Sequence, residues 1–110
     1  MKVLLTPRQH KDRIEYVFTD ERTVVVTYNG EFEETFDLIN DFEQPYEGDD
    51  MITRKRSEVL PINPIISVRY ENDERHVDVF RYHGPNPSDD VVFPDWQEVR
   101  FGETYPYPLS

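Results

Sequence analysis

The sequence predicts a mainly β protein: a small antiparallel sandwich or rolled sheet, built from two hairpins plus terminal strands. Three observations lead there. The apolar residues are the kind that suits a pleated sheet, with 12 Val, 6 Ile, 7 Phe and 7 Tyr against 5 Leu and no Ala. Without Ala and with little Leu, long helices are disfavoured. An Asn29-Gly30 pair stands between two strand-like runs, and a second pair of alternating runs follows in the later half of the chain. The length of 110 residues fits one domain. Its expected span is 1–102, followed by a flexible Pro/Tyr-rich tail at 103–110.

Taken in order, Lys2 to Thr6 is a short apolar stretch stopped by Pro7, a candidate first strand. Ile14 to Phe18 is a second. Thr19 to Arg22 reads as a turn, because Thr and Asp side chains bond their own backbone locally. Thr23 to Tyr28 is the strongest β run, and it leads through Asn29-Gly30 into Glu31 to Leu38. Asn and Gly both tolerate positive φ, so a two-residue hairpin turn is expected. Such a turn sets Tyr28 against Glu31, Thr27 against Phe32 and Val25 against Glu34. Phe32, Phe36 and Leu38 with Val25 then form the core face, and Val24, Val26 and Tyr28 face outward. Ile39 to Asp50 is acidic and loop-like. Pro61 and Pro64 hold the segment around Ile62 extended.

Ile65 to Tyr70 and His76 to Tyr82 form the second expected hairpin. Side-chain parity requires an even loop of two or four residues if Ile66, Val68 and Tyr70 are to share a face with Val77 and Val79. His83 to Asp90 is a Gly- and Pro-containing loop. Val91 to Phe93 and Trp96 to Phe101 make the last ordered unit. Tyr105-Pro106-Tyr107-Pro108 is unsuited to a sheet interior.

Charge excludes more than it identifies. Twelve Lys and Arg against 23 Asp and Glu give a net charge of -11. Direct nucleic-acid binding, which requires cations to displace condensed counterions, is not expected. No apolar run reaches the ~20 residues of a membrane helix, and the Met1–Leu5 stretch is too short for a signal peptide. With no Cys, disulfide and thiolate chemistry are absent. No glycine-rich phosphate loop, no His-x-x-x-His pair and no Gly-x-Ser-x-Gly setting occurs. His10, His76 and His83 are far apart in sequence and read as surface or strand-edge residues, with His76 and His83 at opposite ends of one strand. No enzyme, cofactor or metal is expected.

The acidic window from 31 to 50 holds nine carboxylates, from Glu31, Glu33 and Glu34 to Asp49 and Asp50, and no Lys or Arg. Its plainest reading is a solvated face and loop. A second reading is a docking surface for a basic protein, with Glu31 and Glu33 spaced about 7 Å apart along a strand in imitation of nucleic-acid phosphates. A third, a Ca²⁺ site from Asp41, Glu43, Asp49 and Asp50, lacks the EF-hand spacing. Arg54-Lys55-Arg56 could hold phosphate, but it follows the acidic window and more plainly neutralises it. Trp96, Phe93 and Phe101 are candidates either for an exposed hot spot or for closing the core.

Three segments carry a resemblance: Thr27-Tyr28-Asn29-Gly30-Glu31-Phe32-Glu33-Glu34-Thr35-Phe36-Asp37-Leu38, then Leu60-Pro61-Ile62-Asn63-Pro64-Ile65-Ile66-Ser67-Val68, then Phe93-Pro94-Asp95-Trp96-Gln97-Glu98-Val99. Together they resemble small acidic phage and prophage proteins of the kind encoded near tail and structural genes. The resemblance covers about two-thirds of the chain, and its motifs are structural, so it transfers no functional residue. It implies a structural or assembly accessory role through protein contacts, in the bacterial cytoplasm or built into a virion. Exposed strand edges add self-association as a route to assembly. The expected contact residues are Val24, Val26 and Tyr28 with Trp96. The alternative is an acidic inhibitor that occupies the groove of a host nucleic-acid-binding protein through Glu31, Glu33 and Glu34.

Overall fold

The computed structural model describes residues 1–39, 41–43, 52–53, 60–71, 73–87 and 89–106. The mainly β expectation holds: two four-stranded sheets share one core. The strands are β1 (Lys2–Gln9), β2 (Ile14–Phe18), β3 (Thr23–Tyr28), β4 (Phe32–Asp37), β5 (Phe42–Glu43), β6 (Ile52–Thr53), β7 (Ile65–Glu71), β8 (Glu74–His83), β9 (Gln97–Glu98) and β10 (Thr104–Tyr105), with one helical turn, α1 (Asp89–Val92), between β8 and β9. One sheet is antiparallel, in the order β10-β2-β3-β4. The other has the order β7-β8-β1-β9 and is mixed, because β1 runs parallel to β8. The sheets are mainly antiparallel, as expected, and this is the one parallel pair among the described residues. Pairing between the two ends of a chain leaves no local sequence mark. β5 and β6 pair with each other.

β1 continues three residues past its expected end, through Pro7. His10 N–H donates to the His83 carbonyl at 3.1 Å, and the Met1 carbonyl accepts from Val99 N–H on the opposite flank. Backbone groups alternate along a strand, so even-numbered residues of β1 bond towards β8 and odd-numbered ones bond away. Pro7 therefore turns its missing N–H to the flank where β9, which covers only Lys2 and Val3, no longer reaches.

The first hairpin corrects the sequence reading. Asn29 (φ 54°) and Gly30 (φ 69°) take the left-handed conformation, and Glu31 N–H closes the turn on the Tyr28 carbonyl at 3.1 Å. The pairing then skips one residue: Tyr28 pairs with Phe32, Val26 with Glu34 and Val24 with Phe36. Glu31 is a bulge at the turn, and one extra residue exchanges the two faces of the hairpin. Val24, Val26 and Tyr28 point inward, at 0%, 0% and 5% exposure. Phe36 and Leu38 are buried with them, and Phe32 lies 47% exposed beside the turn.

The second hairpin has the even loop that parity requires. Glu71 pairs with Glu74 across two residues, and Val68 pairs with Val77. A bulge between Ile65 and Ser67 shifts the parity beyond it, so Ile65 is buried in place of Ile66, which is half-buried. Ordered structure extends past 102. β10 lies on the β2 edge of the antiparallel sheet, and Tyr105 is fully enclosed against Phe18, ring centroids 6.1 Å apart. An edge strand is the place where a flanking proline is tolerated.

The core comprises Val3 and Leu5 of β1, Val68, Val77 and Val79 of the β7–β8 hairpin, and Ile14, Tyr16, Phe18, Val24, Val26, Phe36, Leu38 and Tyr105 facing them. Tyr16 spans the layers: its hydroxyl donates to the Phe80 carbonyl of the opposite sheet at 2.6 Å. Leu60 anchors the proline-bracketed segment in the same core, and Pro64 accepts from Phe80 N–H at 3.0 Å.

Candidate functional site

The bulge at Glu31 decides which residues of the antiparallel sheet meet solvent. Directly paired residues share a face. The row Tyr105–Tyr16–Val26–Glu34 points inward, and the next row, Thr104–Val17–Val25–Thr35, points outward across all four strands. Glu15–Thr27–Glu33 lies on the same outer face on one side of that row, and Thr23–Asp37 on the other. The outer face thus has an uncharged, β-branched centre in a chain with 32% charged residues. Two of its acidic residues hold arginines: Arg13 Nε lies 2.9 Å from Glu15, and Arg22 Nη2 lies 2.7 Å from Asp37. Glu31 and Glu33 are exposed.

The structure separates the residues that the sequence grouped. Val24, Val26 and Tyr28 are core and cannot form the expected contact face. Tyr28 instead donates its hydroxyl to Asp12 at 2.5 Å. Burial, and then the adjoining Asp12 carboxylate, push the Tyr28 hydroxyl far above its ordinary range, while the Tyr28 hydrogen bond holds the Asp12 carboxyl below its own. Glu31 and Glu33 stay outside, but Glu34 turns inward at 8% exposure, so the three do not form one acidic row.

Trp96 is half-buried on the outer side of the mixed sheet, edge-on to His76 at 5.1 Å and under the Arg69 guanidinium at 5.6 Å. Phe93 is 75% exposed and Phe101 is exposed, so this trio does not close the core. Of the suggested Ca²⁺ ligands, Asp41 accepts the Asp37 N–H at 2.7 Å and Glu43 belongs to β5, while Asp49 and Asp50 lie outside the described residues, as does Arg54-Lys55-Arg56. Among the described residues no group of three or more His, Cys, Asp or Glu is placed to hold a metal ion.

One association was not legible in the sequence. The parallel β1–β8 pairing brings His10 beside His83, and the His10 ring stacks on Tyr82 at 4.4 Å. Only the register of a non-local strand pair carries that information. No protein-family model, no curated protein and no solved structure matches the chain.

Proposed function

We propose that this chain is a non-enzymatic protein that works through protein contacts, as a structural or assembly accessory of the phage and prophage type, and that its partner docks on the outer face of the antiparallel sheet. The observation that carries the docking surface is the Thr104–Val17–Val25–Thr35 row. A strip of β-branched side chains loses little conformational entropy on contact and gains from desolvation. Glu31 and Glu33 beside it complement a partner whose own apolar centre is bordered by Lys or Arg. The phage-type role rests on the resemblance of the hairpin, the Pro-Ile-Asn-Pro segment and the Phe-Pro-Asp-Trp segment.

The test is capture of the tagged protein from its host with and without phage induction, at low and high salt, alongside a Val25→Lys variant. Val25 points away from the core, so this variant keeps the fold. Tail or capsid proteins held at high salt by the wild type and lost from the variant are the expected result. The same proteins on both baits overturn the docking face. A basic nucleic-acid-binding protein released by salt overturns the assembly role in favour of an acidic inhibitor.

A further inference from the structure

At one end of the molecule β1 and β8 run out side by side, and the chain turns from His10 to Arg13 into β2. A pocket of about 450 Å³ opens there, lined by Gln9, His10, Lys11, His83, Gly84 and Pro85. About one residue in five of this chain is acidic (23 of 110), yet none of these six is. The nearby Asp12 carboxylate accepts from the Tyr28 hydroxyl and the Asn29 side chain; it also lies 3.7 Å from His10 Nδ1 and in the field of Lys11, so it offsets part of the positive charge at this end.

Hydrogen bonds set the two imidazoles to opposite senses. The Asp12 N–H donates to His10 Nδ1 at 3.0 Å, so His10 carries its proton on Nε2 and offers a donor. His83 Nδ1 lies 2.7 Å from the Gly84 carbonyl, which can only accept, so His83 carries its proton on Nδ1 and offers Nε2 as an acceptor. Stacking on Tyr82 fixes the His10 ring. The residues that line the pocket thus carry an N–H donor, an ammonium group at Lys11 and a primary amide at Gln9, together with one acceptor.

We infer that this pocket binds a small phosphate monoester. A phosphate monoester, with a second pKa near ~6, is the common oxyanion that can accept from His10, Lys11 and Gln9 while sharing one proton with His83 Nε2. Carboxylate and sulfate are fully deprotonated near neutrality and bring no such proton. The volume exceeds that of a bare phosphate and leaves room for an organic moiety against Gly84 and Pro85. No residue lining the pocket belongs to the sheet face proposed for the partner, so either assignment can fail alone.

The test is a ¹H–¹⁵N titration at pH 7 and fixed ionic strength with glycerol 3-phosphate, sodium sulfate and sodium chloride as separate probes. Saturable shifts of Lys11, His83 and Gly84 are expected with glycerol 3-phosphate, at least about fivefold weaker affinity for sulfate, and no saturation with chloride. Lys11→Met is expected to weaken the phosphate response about tenfold, as loss of one charge-assisted contact does. His76→Asn, at the far end of β8, is expected to leave it unchanged. Equal affinity for sulfate, absence of saturation, or a response indifferent to Lys11→Met overturns the assignment.

Discussion

Tyr16 shows how a single side chain fastens the two layers. It rises from β2, is fully enclosed, and gives its hydroxyl proton to the Phe80 carbonyl of β8 at 2.6 Å. Burial puts its ionisation far above the ordinary range, so the hydroxyl remains a donor at any pH the fold survives. Pro64 O has a second donor in Phe80 N–H, whereas the Phe80 carbonyl would lose this bond on truncation. Tyr16→Phe keeps the ring packing and removes only the bond. The expected loss is about 1–3 kcal/mol, the cost of leaving a buried acceptor short. It should be read as a lower urea midpoint at unchanged m-value. An unchanged midpoint would mean that the Phe80 carbonyl finds another partner. Nothing in the sequence singled out Tyr16 among seven tyrosines, because its role depends on the sheet opposite.

Among the elements, the β3–β4 hairpin is where sequence reasoning succeeded and then turned the wrong way. Asn29-Gly30 correctly marked the tight turn, and both residues have positive φ. The pairing went wrong because a bulge at Glu31 costs little at an exposed turn, and it allows Val24, Val26, Phe36 and Leu38 to be buried together. Core packing outweighed the simplest turn geometry. That account makes an unusual prediction. Deleting Glu31 leaves a two-residue loop with Tyr28 still against Phe32, so every side chain keeps its face. Deleting Val25, in the middle of β3, turns buried residues outward on one side of the gap, either Val24 or Val26 and Tyr28. Thermal melts should show the Glu31 deletion within about 1 kcal/mol of the wild type, in keeping with the mild cost of most surface changes, and the Val25 deletion unfolded or severely destabilised. Comparable destabilisation by both would mean that Glu31 holds the hairpin. The β7–β8 hairpin was read more fully, since its even loop follows from parity alone. The bulge at Ile66 was not, and neither was β10, where two residues beside a proline gave too short a pattern to show as a strand.

At the scale of the whole molecule, composition gave the fold class because β-branched and aromatic residues have few other uses in a chain without alanine. It could not give topology: the parallel β1–β8 pair joins segments about 70 residues apart. Consequently the pocket at His10 and His83 was invisible, and the outward sheet face was assigned to the wrong strand parity. Net charge was fully legible, and it sets the final expectation. Eleven uncompensated negative charges sit on a body of 39 × 30 × 25 Å. At 0.01 M salt the screening length is about 30 Å, so charges repel across the whole molecule; at 0.1 M it is about 10 Å and only neighbours interact. The arginine pairs with Glu15 and Asp37 weaken in salt, but exposed pairs contribute only about 0–1 kcal/mol each. Relief of repulsion should therefore win. Between 0.01 and about 0.3 M NaCl, Tm should rise by roughly 4–8 °C, the shift that about 1 kcal/mol produces in a domain of this size. Glu33→Lys, which removes two units of negative charge from the solvent side of β4, should flatten that slope. A Tm that stays level or falls with salt would mean that attractive pairs, and not net charge, govern the stability of this fold.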